Sequence, residues 1–145
     1  MEEKQRPNVK VMCVFQHNGK TLASKGFDKN KNETFYRLVG GSLEFGETTL
    51  DGVKREIKEE LGCEIQNLLF VKVIENIFIY EGKPGHDIVF VYRGELANRE
   101  LYKKEKIHIV EPHGEFDAEW VSVSAILSGK TILYPTLDYR EIFKA

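Results

Sequence analysis

Hydrophobic and polar positions alternate or cluster along the chain in a way that predicts a series of short strands around one long helix. Val9 to Gln16 reads as a strand, and Asn18-Gly19 is a hairpin turn leading into a second strand, Thr21 to Gly26. Thr34 to Val39 reads as a third strand. It runs into the sharply bending loop Gly40-Gly41-Ser42-Leu43-Glu44-Phe45-Gly46. A helix is predicted from about Thr48 to Leu61, closed by Gly62 in the left-handed conformation. Leu68 to Tyr80 and Ile88 to Leu96, rich in β-branched and aromatic residues, read as strands joined by a long hairpin, Glu81-Gly82-Lys83-Pro84-Gly85. A short strand at Trp120 to Val123, a small helix at Ser124 to Leu127 and a terminal helix at Thr136 to Lys144 complete the reading. Locally pairing strands with two or three helices imply a mixed α/β (α+β) domain with one principal sheet.

No repeat, low-complexity tract or linker divides the 145 residues, so residues 1–145 are read as a single domain. Hydrophobic content of 41% and charged content of 30% describe a globular protein. The formal charge of −2 gives no support for electrostatic binding to nucleic acid, and Lys103 to Lys106 reads as a solvated segment. No apolar run suits a membrane span, and the polar stretch Met1 to Lys10 lacks the core of a signal peptide. Cys13 and Cys63 form neither a disulfide framework nor a zinc spacing, so a reduced, cytoplasmic setting is expected.

The central helix carries the chemistry. On a wheel of about 100° per residue, Leu50, Val53, Ile57 and Leu61 share an arc of about 80°, read as the buried face. With Leu50 at zero, Glu59, Glu56 and Glu60 fall at about 180°, 240° and 280°, so three carboxylates share one flank. Gly52 projects into that flank, and a helix-interior glycine costs about 1 kcal/mol relative to alanine. It either keeps space open for a metal ion, water or phosphate, or permits close packing. Clustered carboxylates raise one another's pKa unless a positive charge compensates, and hard oxygen ligands suit Mg²⁺, with Mn²⁺ as a substitute. An isolated Glu-rich helix would more simply be a solvated acidic face balanced by Lys54 and Lys58.

The flanking residues overturn that simpler reading. Gly41, five residues, Glu47, seven residues, then Arg55-Glu56-Ile57-Lys58-Glu59-Glu60-Leu61-Gly62-Cys63 resembles the full box of the Nudix (MutT-like) hydrolase family. A chance match at a given position is on the order of one in 10⁹. The box covers 23 residues; Cys63 stands where the family usually has a larger aliphatic residue, and Val39 where many members have proline. Weaker likeness extends to Tyr36-Arg37-Leu38-Val39-Gly40-Gly41 before it and Glu119-Trp120-Val121 after.

The resemblance implies a Nudix fold, with loop–helix–loop against a mixed sheet in an α/β/α sandwich. It further implies Mg²⁺-dependent hydrolysis of a pyrophosphate bond in a nucleoside diphosphate linked to another moiety: a nucleotide, dinucleoside polyphosphate or nucleotide sugar. It makes Glu56, Glu59 and Glu60 metal-binding carboxylates, with the Gly40 carbonyl a further ligand. Glu47 and Arg55 match the pair that holds loop and helix in register, with a plain Arg55–Glu59 ion pair as the competing reading.

A general base is expected near the attacking water. Glu56 or Glu59 is a candidate within the box; Glu115, Glu111 and Asp117 are candidates on a later loop, with Glu115 preferred five residues before Trp120. Arg37 is a candidate phosphate contact. Tyr36 and Tyr80 are candidate substrate contacts, and Phe35 and Phe78 are read as core fillers ahead of a base-stacking platform. Tyr80, 17 residues past Cys63, lies near where diadenosine polyphosphate hydrolases of the family carry a tyrosine. The proline resembling an ADP-ribose marker is missing. The competing function is a nucleotide-binding Nudix sensor without turnover, against which the complete set of box carboxylates argues. An isomerase or RNA-end hydrolase on the same fold lacks support from a long extension or basic excess. A small-molecule nucleotide-type partner is expected, and a homodimer by analogy with relatives.

Overall fold

The computed structural model describes residues 5–112 and 114–143. Its strands are β1 (Asn8–Val14), β2 (Gln16–His17), β3 (Lys20–Asp28), β4 (Glu33–Ser42), β5 (Ile65–Tyr80), β6 (Lys83–Leu96), β7 (Lys106–Glu111), β8 (Gly114–Ser122) and β9 (Leu133–Tyr134). The helices are α1 (Thr49–Leu61) and α2 (Val123–Leu127), with single 3₁₀ turns at Arg99–Lys103 and Tyr139–Glu141. The sheet runs β5-β6-β1-β4-β3-β8-β7, with β2 on β3 and β9 on β4. It is mixed: β1 pairs with β6 and β4 with β9 in parallel, and the other neighbours are antiparallel.

The period of two along β1 sets the layers. Val11, Cys13 and Phe15 face the core that holds Val53, Ile57 and Leu61 of α1. Met12 and Val14 face the opposite core, with Val123 and Ile126 of α2 and Tyr139, Ile142 and Phe143 beyond it. Helices therefore cover both faces of one sheet, as the expected α/β/α sandwich requires. Each fully buried Val or Ile of α1 contributes about 1.5–3 kcal/mol to holding it there.

Several expectations hold and others need correction. The Asn18-Gly19 turn has φ of 49° and 73° at its two residues, the pair of positive values a two-residue type I′ hairpin demands. The long hairpin loop expected at Glu81–Gly85 is instead the two-residue turn Glu81-Gly82, with φ of 49° and 79°. Glu81 tolerates that conformation because its N–H donates to Asp28 Oδ2 at 3.1 Å, and residues 83–85 continue the ladder of β6. The segment read as a polar loop around Glu111, Glu115 and Asp117 is a hairpin, β7–β8. Its signal is the alternation in Lys106–Glu111, where Ile107 and Ile109 are buried and His108 is not.

The expected terminal helix at Thr136 to Lys144 is a single turn that starts only at Tyr139, where the Asp138 carboxylate caps it by accepting from the Arg140 N–H. Lys144 and residues 1–4 of the polar N-terminal stretch lie outside the described residues. Among the described residues no helix is long and apolar enough to cross a membrane.

Candidate active site

α1 starts and stops where its caps dictate. Thr48 Oγ1 accepts from the Asp51 N–H at 3.1 Å, and Gly62, at φ 70°, donates its N–H to the Lys58 carbonyl at 2.9 Å. The helix packs on β1, β4 and β7. Its buried arc differs from the expected one: Leu50 is 43% exposed, whereas Gly52, Val53, Glu56, Ile57 and Leu61 are buried. That arc centres on the Glu56–Glu60 flank, so two carboxylates are drawn into the interface between helix and sheet.

Two glycines permit this. A Cβ on Gly41 would collide with the Glu56 carboxylate, so the glycine lets that carboxylate lie against the β4 backbone. A Cβ on Gly52 would stand 2.6 Å from Leu43 Cδ1 and 3.1 Å from Glu47 Oε1. The ends of the Leu43 and Glu47 side chains fill the space beside Gly52, which favours its close-packing reading.

Arg55 ties the loop to the helix. Its Nε and Nη2 donate to Glu47 Oε2 and Oε1 at 3.0 and 2.7 Å, a bidentate pair. Nη2 also donates to the Ser42 carbonyl at 3.0 Å, and Nη1 donates to Glu56 Oε1 and Glu59 Oε2 at 3.1 and 3.2 Å. Glu47 Oε1 in turn accepts from the Glu44 N–H at 2.9 Å. The side chains of Arg55 and Glu47 are only 23% and 16% exposed. The Arg55–Glu59 pair exists, but as one arm of this larger clamp. The Glu47 hydrogen bonds hold that carboxyl below its usual range and push Arg55 up.

The remaining carboxylates are under-compensated. Burial raises Glu56 above the usual carboxylate range despite Arg55, and Glu59 and Glu111 add to the rise. Glu60 is pushed up to about 8, first by burial and then by Glu56 and Glu111; Arg37 and the Gly40 N–H oppose this without outweighing it. Its Oε2 is buried without a hydrogen-bond partner. Glu59 is exposed. Glu56, Glu59, Glu60 and Glu111 thus share one acidic locality whose nearest arginine is already divided among four acceptors.

This donor set fits a divalent cation: hard carboxylate oxygens, excess negative charge and one orphaned buried oxygen. Among the described residues no three such side chains form a ligand set as they stand. Arg55 occupies an oxygen each of Glu56 and Glu59, so a cation would take those oxygens in its place.

The later-segment acids separate by sheet face. Glu111 follows Ile107 and Ile109 on the α1 side and acts electrostatically on Glu56 and Glu60. The structure does not bring the preferred candidate, Glu115, to this cluster. Phe116, Ala118 and Trp120 face the α1 core, which turns Glu115 and Asp117 to the other side. There Asp117 Oδ1 lies 2.8 Å from His108 Nδ1 and Glu115 Oε2 lies 3.3 Å from Nε2. Both carboxylates hold His108 above its ordinary value.

Next to the acidic locality lies a cavity of about 330 Å³. The tip of the β5–β6 hairpin closes it by fastening to the β3–β4 turn: Lys31 Nζ donates to the Ile79 carbonyl at 2.8 Å and Tyr80 Oη to the Phe27 carbonyl at 3.3 Å. Arg37, Phe35, Phe78, Tyr80, Phe116 and Tyr134 line it. Arg37 joins it to the carboxylates, since the same guanidinium acts on Glu60. Tyr80 thus lines the cavity. Tyr36 does not: it sits on the opposite face of β4, packed against the α2-side core. The sequence reading missed Phe116, Tyr134 and the polar pair Asn76 and Asp87 in the lining; only the three-dimensional curl of the sheet brings them together.

Comparison with known proteins bears on the family and the fold. The family model described as the NUDIX domain matches residues 4–139. A NUDIX hydrolase from Nitrosomonas europaea shares the fold with a TM-score of 0.64 at 19% identity, over 94% of this chain and 86% of that one. A MutT protein from Bacillus halodurans gives 0.58 at 20%, over 94% and 80%. A MutT NUDIX hydrolase from Burkholderia pseudomallei gives 0.55 at 21%, over 83% and 86%. With the match spanning nearly the whole chain and the box residues gathered on α1, the chain belongs to the NUDIX family, as a Nudix pyrophosphohydrolase acting on pyrophosphate bonds.

Proposed function

We propose that this protein hydrolyses, with Mg²⁺, a pyrophosphate bond in a nucleoside diphosphate linked to a second moiety. One observation carries the reading: the under-compensated cluster of Glu56, Glu60 and Glu111 adjoins, through Arg37, a cavity with aromatic walls. A phosphorylated substrate brings charge that suits Arg37 and a base or sugar that suits Phe35, Phe78 and Tyr80.

Glu56, Glu59 and Glu60 would hold the cation, which supplies charge neutralisation at the phosphates and a more acidic water. Gly40 stands beside this set, its N–H directed at Glu60. Glu111 is the acid we assign to receive the proton of the attacking water, because it shares the field of Glu56 and Glu60. Arg37 orients the phosphoryl group for in-line displacement, and Arg55 with Glu47 fixes the loop that frames it. Cys13 and Cys63, both buried and free, support a reducing cytoplasmic setting.

The test is phosphate release with Mg²⁺, coupled to a phosphatase, across nucleoside triphosphates, nucleotide sugars, ADP-ribose and diadenosine polyphosphates. Wild type should turn over one group, and Glu59→Gln should lose at least about a hundredfold in kcat, the effect of disturbing a metal site. Nucleotide binding without turnover of any compound would replace this reading with that of a sensor.

A further inference from the structure

A second cavity, of about 400 Å³, lies away from the acidic cluster, at the other end of β7. Lys106, the first residue of β7, lines it, whereas Glu111, the last, acts on Glu56 and Glu60. The strand between them separates the two places by about 17 Å. The cavity is framed by the β2–β3 turn, the 3₁₀ turn at Arg99–Lys103, the start of β7 and Trp120 of β8.

One wall is aromatic. Tyr102 and Trp120 stack with ring centroids 5.3 Å apart at 27°, and His17 lies 4.6 Å from Tyr102. The polar tips of the two half-buried rings are bonded to the backbone. Tyr102 Oη accepts from the Leu96 N–H at 2.8 Å, and Trp120 Nε1 donates to the Leu101 carbonyl at 3.1 Å. With both tips engaged, these rings offer the cavity aromatic carbon rather than hydrogen bonds, a surface suited to a flat ring.

The rim is cationic. Lys20, Lys103, Lys104 and Lys106 line the cavity against Glu105 and Glu119, in a chain whose net charge is −2. Lys103 is engaged with Glu100 at 3.3 Å. The ammonium groups of Lys20, Lys104 and Lys106 meet no hydrogen bond or ion pair among the described residues, although Lys106 stands opposite Glu119 in the β7–β8 ladder. A run of lysines along one segment is ordinarily a solvated face. Here Lys20, from a turn distant in sequence, joins the run around a concavity with an aromatic wall. A cleft lined by one sign of charge over such a wall concentrates the field, and an anion relieves the repulsion.

We propose that this cavity is a second ligand site, which takes a nucleoside monophosphate. The base lies on the wall of His17, Tyr102 and Trp120, and Lys20, Lys104 and Lys106 hold the phosphate. A flat ring joined to a phosphate is the chemistry that uses both halves of the cavity: stacking serves any base, and a lysine ammonium binds phosphate as a point charge. The volume is that of a small-molecule site. This site is separate from the catalytic cavity and does not rest on the hydrolysis proposed there.

Trp120 is the only tryptophan of the chain, so its fluorescence reports this cavity directly. The full chain is titrated in chelator with AMP, adenosine and ribose 5-phosphate. AMP should quench the fluorescence saturably. Adenosine and ribose 5-phosphate should each bind about tenfold or more weaker, because each lacks one half of the match. The double substitution Lys104→Ala with Lys106→Ala should weaken AMP about tenfold at an unchanged melting temperature, since both side chains are exposed. Arg37→Ala, which alters the catalytic cavity, should leave the AMP affinity within about twofold. No quenching, quenching by adenosine or ribose 5-phosphate at the affinity of AMP, or an AMP affinity unmoved by the double substitution would each overturn the proposal. Loss of quenching in Arg37→Ala would also overturn it, by assigning the nucleotide to the catalytic cavity. A short oligothymidylate that binds at least about a hundredfold tighter than AMP would replace it with a groove for single-stranded nucleic acid.

Discussion

Removing Arg55 should destabilise the fold more than the loss of a surface ion pair would. Arg55→Ala deletes a bidentate pair to Glu47 at 2.7 and 3.0 Å, a bond to the Ser42 carbonyl at 3.0 Å and a bond to Glu56 at 3.1 Å. Hydrogen bonds to charged groups contribute about 1.5–3 kcal/mol where solvent is largely excluded. Here the Glu47 and Glu56 side chains are 16% and 11% exposed. The arm to Glu59, which is mostly exposed, adds no more than about 0.5 kcal/mol. These contributions share one guanidinium and do not sum fully. A loss of about 3 kcal/mol is expected, because Glu47 and Glu56 are left charged and unpaired in a partly buried setting.

With a urea m value of about 2 kcal/mol/M for a domain of this size, the unfolding midpoint should fall by about 1.5 M. Arg55→Lys keeps the charge but cannot reach four acceptors and should recover about half of that. A double-mutant cycle with Glu47→Ala should give a coupling of about 1.5–3 kcal/mol. A midpoint shift for Arg55→Ala equivalent to less than about 0.5 kcal/mol, or a coupling near zero, would refute the clamp.

The other predictions concern the acids and the glycine on α1. Glu60, with a folded pKa of about 8, binds its proton more tightly in the folded than in the unfolded state. Metal-free wild type should therefore lose stability as pH rises from about 4.5 to about 8 and stay level above. The full shift would set a ceiling of about 5 kcal/mol; after discounting for solvent screening, about 2 kcal/mol is expected. Glu60→Gln should abolish that slope in chelator-treated protein, and Mg²⁺ should raise the melting temperature of wild type only. A pH profile unchanged by the substitution would contradict the strained carboxyl. Glu111→Gln should lower kcat at least about tenfold while Glu115→Gln leaves it within about twofold, measured on whichever substrate turns over. The reverse order would return the base to Glu115. Gly52→Ala, favourable by helix propensity by about 1 kcal/mol, should be no more stable than wild type in urea unfolding, because the ends of Leu43 and Glu47 must shift to admit the methyl. A stabilised variant would show that this contact relaxes freely.

Much of the site was legible because it lies on one short stretch with its own periodicity. The spacing of Glu56, Glu59 and Glu60 and the caps at Thr48 and Gly62 are local, and the structure places them as local rules require. The orientation of the helix was not legible. Leu50 belongs to the apolar stripe by spacing but is exposed, because Gly41 and Gly52 let Glu56 and Glu47 pack where larger residues would have excluded them. Such close approaches depend on which backbone lies opposite, which the wheel does not contain.

β7 was missed for a different reason. Its six residues alternate too briefly to outweigh the lysines before them, and with it went the face on which Glu111 and Glu115 fall. Glu111 could have been chosen by counting alternate positions from Ile107 and Ile109. Asp87 and Asn76 carry no comparable signal, since only the pairing of strands distant in sequence places them in the cavity.

The most direct test of the metal-dependent hydrolase is the rate of pyrophosphate-bond cleavage on the best substrate of the panel, for wild type and Glu60→Gln, with Mg²⁺ and with chelator. Cleavage by wild type that requires Mg²⁺ and falls at least about a hundredfold in the variant is the predicted result. Equal cleavage by both proteins, or a rate indifferent to chelator, would contradict it.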